Sequence, residues 1–293
     1  NPTIIGWLKI LKASWSDDST PWCLEGDIEV LTSVGFVRLD SIDVIKPKEV
    51  AQLNPKTLEV EFTSDFDYIE KDYDGVVYDV NAGRLNFTCD PNHKMFGGFS
   101  SSDQYKLREI SSLTKYGVKI PKIHSSSAGI DCTDDELIFL AAYLSDGTRR
   151  HNIVRFKFSK QRKMEIMDKF PYLSKKTDDK LYGVSRKVYT NYAFSIALLR
   201  MDYLCKYKLL SWEFLRGLSQ RQAKVFIDAY KNFDGTQSSG EPGYEVFTAD
   251  KQLQQQLNYI ATMAGYKSTP FSVKQTSPLS KIEHLHHVYV SPK

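Results

Sequence analysis

The chain has 293 residues, 39 Lys+Arg against 36 Asp+Glu, and is 41% hydrophobic. That length suggests about two domains with real cores, and the composition is that of a soluble globular protein. No apolar run reaches the roughly 18 residues of a membrane span. The opening Asn1-Pro2-Thr3-Ile4-Ile5 does not form a basic n-region followed by an apolar h-region, so a signal peptide is not the expectation. Cys23, Cys89, Cys132 and Cys205 lie far apart with no C-x-x-C, which argues against a disulfide framework or zinc ribbon and fits a reducing compartment. A cytoplasmic protein with no membrane partner is the expectation. Residues 1–133 hold 14 Lys+Arg and 20 Asp+Glu, a net −6, and residues 134–293 hold 25 and 16, a net +9. A basic half beside an acidic half points to a polyanion, nucleic acid first, meeting the second half.

In chain order, Ile4, Ile5, Leu8, Ile10, Leu11 and Trp15 fall near helical spacing, so residues 1–16 read as a helix. Ser16 to Pro21 is a polar break. Strand-like runs follow at Ile28–Thr32, Val37–Leu39, Leu58–Phe62, Gly75–Val80, Leu85–Thr88 and Tyr116–Ile120, with Ser33-Val34-Gly35-Phe36 as a turn. They suggest a compact all-β unit over about 24–125. After Ser125 the pattern changes. Asp134-Asp135-Glu136 opens an apolar helix that stops at Asp146-Gly147-Thr148. A strand (Ile153–Phe158), a helix (Lys160–Phe170), a β region near Tyr182–Tyr189 and a helix near Tyr192–Met201 follow. The order then restarts: helix Arg221–Phe233, a stop at Asp234-Gly235-Thr236, strand Tyr244–Thr248, helix Lys251–Ala264 and β residues to the end. This is a degenerate α-β-α-β repeat with a period of 88 residues.

In each copy small residues sit in an apolar helix that ends in Asp-Gly. Small residues let helix backbones approach, and Gly is favoured just past a helix end. Helices packed at a pseudo-twofold would bring Asp146 and Asp234 together, and two close carboxylates suit a divalent cation such as Mg²⁺ that assists phosphodiester hydrolysis. A second constellation is Cys23 at the mouth of a strand, with a base candidate in Asp90-Pro91-Asn92-His93. The His284-x-His286-His287 run has no matching ligand cluster and reads as surface or DNA-facing histidines.

Phe139–Thr148 and Ile227–Thr236 resemble the two LAGLIDADG motifs of the homing endonuclease family, and Tyr244–Thr248 with Leu253–Leu257 and Gly265-Tyr266 resembles the flank of its repeat. The resemblance implies that Asp146 and Asp234 hold catalytic metals, with saddle-shaped sheets on double-stranded DNA and cleavage of both strands. Two positions depart from the pattern: Phe233 stands where a small residue is usual and Lys231 where an apolar one is. A phenyl ring at a close helix contact would push backbones apart, costing about 1–3 kcal/mol.

Cys23–Leu39 resembles the first splicing block of an intein, and Asp90–Met95 resembles its Thr-x-x-His block, with Asp90 in the Thr place and Thr88 two residues earlier. That resemblance implies attack of the Cys23 thiol on the Trp22 carbonyl to form a thioester. His93 would protonate or distort the leaving amide, and Asp90 or Thr88 would hold it. The intein resemblance implies that residues 1–22 are an N-extein, and Asn1-Pro2 with Ser19-Thr20-Pro21-Trp22-Cys23 resembles the start of CHAP-like cysteine peptidoglycan hydrolases as its host. No terminal His-Asn follows Val288–Lys293, so the expectation is a truncated or split intein, partnered by a host extein in cis and a missing C-terminal segment.

The fold class is then multidomain: an incomplete all-β Hint-type splicing domain (23–130) plus an α/β LAGLIDADG endonuclease (131–293) with two pseudo-symmetric repeats, about 134–215 and 216–293. A monomer in a phage or bacterial host is expected. The alternatives are a DNA-binding LAGLIDADG protein with decayed cleavage, and a cysteine peptidoglycan hydrolase using Cys23.

Overall fold

The computed structural model describes residues 3–10, 24–82, 85–99, 104–113, 118–170, 173–179, 189–195, 205–206, 208–237, 242–276 and 282–291. The chain divides into two compact units, Asn1–His124 and Ser125–Lys293. No helix among the described residues is long and apolar enough to cross a membrane.

The first unit is built from short strands. β1 (Thr3–Ile10), β2 (Leu24–Glu25), β7 (Phe66–Tyr73), β8 (Tyr78–Ala82) and β9 (Leu85–Cys89) form one sheet in the order β7-β1-β2-β9-β8. A second contains β3 (Glu29–Thr32), β4 (Gly35–Arg38), β5 (Val50–Leu53) and β6 (Glu59–Thr63), ordered β6-β5-β3-β4 with β13 (His124–Ser125) at its edge. A third joins β10 (Lys94–Phe99) to β11 (Lys106–Glu109) and β12 (Val118–Lys119). Two four-residue helices, α1 (Ile42–Ile45) and α2 (Ile110–Leu113), lie between the strands. Ile42 joins Val37 and Leu39 in one small core, and Ile110 joins Cys89 in another.

The helical reading of residues 1–16 is corrected over Thr3–Ile10, while residues 11–16 lie outside the described residues. All eight residues of β1 pair antiparallel with β7, from Thr3 opposite Tyr73 to Ile10 opposite Phe66. An eight-residue apolar run fits either period, and a partner strand that accepts its backbone hydrogen bonds decides for β.

In the second unit each repeat is an α-β-β-α-β-β array. The first runs α3 (Asp134–Asp146), β14 (Thr148–Arg150), β15 (Ile153–Phe158), α4 (Gln161–Met167), β16 (Leu173–Asp179) and β17 (Tyr189–Ser195). After a short connection with β18 (Cys205–Lys206), β19 (Leu209–Leu210) and α5 (Trp212–Gly217), the second runs α6 (Gln220–Asp234), β20 (Gly235–Gln237), β21 (Tyr244–Thr248), α7 (Lys251–Met263), β22 (Lys267–Lys274) and β23 (His284–Ser291). The sheets share one strand order, β14-β15-β17-β16 and β20-β21-β23-β22. The repeat thus holds more strands than its sequence pattern suggests, because β14 and β20 start directly at the Asp-Gly stops.

The helix expected near Tyr192–Met201 is corrected in part. Tyr189–Ser195 is a strand, with Thr190, Tyr192 and Phe194 buried and Asn191 and Ala193 more exposed, a period of two. Residues 196–204 lie outside the described residues, as does most of the β region expected near Tyr182–Tyr189.

Helices α3 and α6 begin in capping boxes, Thr133 with Glu136 and Ser219 with Gln222. Gln222 also bonds the backbone of Ile130 and Cys132, which ties the start of α6 to the lead-in of α3. Arg221 beside α6's start grips Asp134 at the start of α3 at 2.7 and 2.8 Å. At the far ends Asp146 and Asp234 share one lysine. The two helices therefore run parallel along one another. Fully buried Ala141, Ala142 and Ala223 supply the small side chains that close approach needs.

Candidate active site

Asp146 and Asp234 are the last residues of α3 and α6. Lys163, in the first turn of α4, reaches both: its Nζ donates to Asp146 Oδ2 at 2.5 Å and to Asp234 Oδ1 at 3.4 Å. These two carboxylate oxygens are consequently within about 6 Å of each other. The Lys163 side chain is only 7% exposed, against 26% and 30% for the two acids. Its ammonium lies 5.7 Å from the centre of the Phe158 ring.

Two further cations sit at the helix ends. Arg162 donates to the Gly235 carbonyl at 3.3 Å, and Lys208 to the Leu144 carbonyl at 3.5 Å. Burial and the Asp146 charge push the Asp234 carboxyl above its ordinary value, while Lys163 and Lys208 pull it back. Desolvation, then Asp234 and Asp146, hold the neighbouring Tyr230 hydroxyl far above its ordinary value.

The glycines after the two acids act through space rather than through a left-handed cap. Both are extended, with φ of −71° at Gly147 and −132° at Gly235. A Cβ at Gly147 would lie 2.8 Å from the Tyr143 backbone, and one at Gly235 would lie 2.5 Å from the Lys231 carbonyl oxygen. Glycine lets the chain leave the helix straight into a strand.

Phe233 does not open the helix pair. Its ring is 1% exposed and packs beside Phe158, with centroids 6.1 Å apart, so the bulk is absorbed in the core next to β15. Lys231 turns outward and lays its ammonium 4.6 Å from the centre of the Tyr244 ring.

A divalent ion does not fit the pair as arranged, because the Lys163 ammonium fills the place between the carboxylates. Among the described residues no three His, Cys, Asp or Glu gather as a metal site, and His284, His286 and His287 are no exception. His286 instead bonds Ser272, and His287 bonds Glu245 and stacks on Phe271 at 4.8 Å.

The sheet faces differ. In β15 Val154, Phe156 and Phe158 point inward and Ile153, Arg155 and Lys157 outward, with Arg149 and Arg150 exposed on β14. In the second repeat the cross-strand neighbours Glu245–Tyr289 and Phe247–His287 alternate with the buried Val246 and Val288.

In the first unit, Cys23 lies outside the described residues. Its neighbour Leu24 pairs with Cys89, the residue before Asp90. Asp90 is buried and shapes a turn: its carboxylate accepts from the Asn92 N–H at 2.8 Å and its carbonyl from the His93 N–H at 3.1 Å. The His93 ring leans on Phe87, and its buried Nδ1 has no hydrogen-bond partner among the described residues. Burial lowers the His93 pKa, with Asp90 opposing. Burial likewise lifts the Cys89 thiol to about 11, so it is an inert core residue.

Of the sequence-derived site residues, Asp146 and Asp234 meet, and Asp90 and His93 share one turn. Lys163 was not read from the sequence. A Lys in the first turn of a helix is ordinary, and nothing local marks it as facing two distant acids.

No protein-family profile matches the chain. A stretch of 103 residues is 30% identical to an ATP-dependent Clp protease proteolytic subunit from Chlamydomonas moewusii, covering 34% of this chain and only 10% of that protein. The chain thus spans about a tenth of the length of that relative. Among solved structures, the chain is similar to full-length DUF199/WhiA from Thermatoga maritima, with a TM-score of 0.36 at 8% identity, covering 56% of this chain and 53% of that one. It is also similar to the N-terminal LAGLIDADG domain of DUF199/WhiA (TM-score 0.35, 9% identity, 55% and 76% covered). The homing endonuclease I-DmoI, in complex with DNA and Mn, gives a TM-score of 0.33 at 11% identity, with 54% and 89% covered. These overlaps are loose, and the diacid stands on this chain's own contacts.

Proposed function

We propose that the second unit binds double-stranded DNA as a LAGLIDADG-type domain. The observation that carries this reading is the pair of parallel helices, each ending in Asp and each feeding a sheet of the same strand order. The first of those sheets exposes Arg155 and Lys157 on one face, with Arg150, opposite Ile153, on the same face. Cations at this spacing on a strand face suit the phosphates of a duplex. Site-specific cleavage of both strands is the fuller form of the reading, and it requires a state in which Lys163 has left the two carboxylates.

The test is fluorescence anisotropy of a labelled random-sequence duplex with the full chain, in EDTA, over a salt series. Binding should weaken steeply with salt, by about −0.9 in log affinity per log salt for each phosphate contact. No binding, or a flat salt response, overturns the proposal.

A second reading applies to the first unit: the N-terminal part of a splicing domain. What favours it is the register of Leu24 opposite Cys89, which sets the chain after Cys23 alongside the Asp90–His93 turn, together with the unpaired Nδ1 of His93. In that chemistry the Cys23 sulfur bonds to the Trp22 carbonyl carbon, the Trp22–Cys23 C–N bond breaks, and the thiol's proton passes by way of His93 to the departing nitrogen, which becomes a free amine. Incubation of the full chain with a small thiol, read by denaturing mass spectrometry, should release residues 1–22 as a thioester. No release, or release unchanged in Cys23→Ala, ends this reading.

A further inference from the structure

We infer that Lys163 is a built-in cation that closes the Asp146–Asp234 pair to divalent metal in the free protein, so that the chain meets DNA in a binding state and not a cleaving one. The inference rests on the DNA-binding reading for its consequence, while its test does not.

The electrostatics carry it. Two carboxylates and two helix C-termini converge at the ends of α3 and α6. With about half a charge at each helix end, they sum to roughly three negative charges. Lys163 answers the carboxylates, while Arg162 and Lys208 answer the last carbonyls. Three cations thus stand against about three negative charges, with Lys163 at the carboxylates themselves.

The packing carries it further. Lys163 is held rather than merely attracted: its side chain is 7% exposed and its ammonium lies near the Phe158 ring, which Phe233 backs from the other repeat. The bulky residue of the second motif thus supports the wall along which the lysine runs. A compact ammonium donates to both acids at once and occupies the point between them that a bridging ion would take.

The asymmetry points the same way. Aligning the helix caps Lys160 and Asp250 sets Gln161-Arg162-Lys163 against Lys251-Gln252-Leu253. Leu253 is buried where the first repeat has Lys163. One repeat supplies the cation for both acids, an arrangement that neutralises the pair and does not duplicate a catalytic lysine.

The experiment is Mn²⁺ binding to the full chain without DNA, followed by the EPR signal of the free ion. The wild type should show no site up to about 1 mM that Asp146→Asn removes. Lys163→Met, which keeps the length of the side chain and drops the charge, should gain a site at least about tenfold tighter, lost again when Asp146→Asn is added. Since Lys163→Met leaves two close acids uncompensated, its fold is checked by thermal melting. There Mn²⁺ should raise the melting temperature of Lys163→Met and leave that of the wild type unmoved. A wild-type site that depends on Asp146 overturns the inference, as does a Lys163→Met protein that gains neither binding nor thermal shift. Duplex binding in EDTA, run alongside, separates a failure of the DNA reading from a failure of this one.

Discussion

The two repeats of the second unit share a backbone plan and divide its chemistry. The first packs an aromatic core, with Phe139 in edge contact with Phe156, Phe170 and Phe194 at 5.0 to 5.6 Å. The second packs Val246, Leu253, Leu257, Ile260, Val288 and Val290. It also places one acid, Asp228, under the hydroxyls of Tyr244 at 3.0 Å and Tyr266 at 3.0 Å. Of the cations discussed above, Arg155, Lys157, Arg162 and Lys163 belong to the first repeat and Lys208 to the connection after it. Repetition of a fold therefore fixes where two acids end, and the sequence of each copy decides which copy supplies the positive charge.

The sharpest way to break this comparison is at Phe233, the residue by which the second helix departs most from the first. Its ring is buried beside Phe158, so Phe233→Ala should cost the second unit about 3–5 kcal/mol in denaturant unfolding. A loss below about 1 kcal/mol would mean that the ring fills no real pocket. The next effect falls on the second repeat alone. Tyr244→Phe removes one of the hydroxyl donors to Asp228, and the loss should be about 1–3 kcal/mol because the bond is to a charged group. Burial and the Asp228 charge hold both tyrosine hydroxyls well above their ordinary range, so raising the pH to 10 should ionise neither. A tyrosinate absorbance titrating normally at both would contradict the network.

The DNA-facing asymmetry predicts a smaller change. Arg155→Ala with Lys157→Ala should flatten the salt slope of duplex binding by about 0.9 for each phosphate left without its cation. Phe247→Ala, on the equivalent face of the second repeat, should leave the slope alone. Equal slopes in the two variants would erase the distinction between the sheets. The smallest effect lies in the first unit and serves as a reference for both repeats. His93 has a folded-state pKa below its ordinary 6.5, because burial disfavours its charge. The unfolded chain then binds more protons than the folded one in the window just below that value. Stability of the first unit should hold above pH 6.5 and decline as pH falls through it toward the lowered folded pKa. His93→Leu should remove that dependence, and a pH profile unchanged by the substitution would contradict the assignment.

Much of the second unit was legible in its sequence. Helix Lys251–Met263 and strand Tyr244–Thr248 stand where periodicity set them, and the stops at Asp146 and Asp234 are the helix ends. The capping boxes Thr133-x-x-Glu136 and Ser219-x-x-Gln222 were available as a further signal for both helix starts. These features depend on neighbours three or four residues away, so local sequence decides them. β1 and β17 were decided otherwise, since short segments of seven or eight residues take either form until a partner strand accepts their backbone bonds. Only tertiary structure put Lys163 between the acids, one 17 residues away and the other 71. An ion pair at that separation needs the repeats to pack before the charges can meet, and what draws the lysine in is the joint field of two helix ends that no single segment of the chain contains.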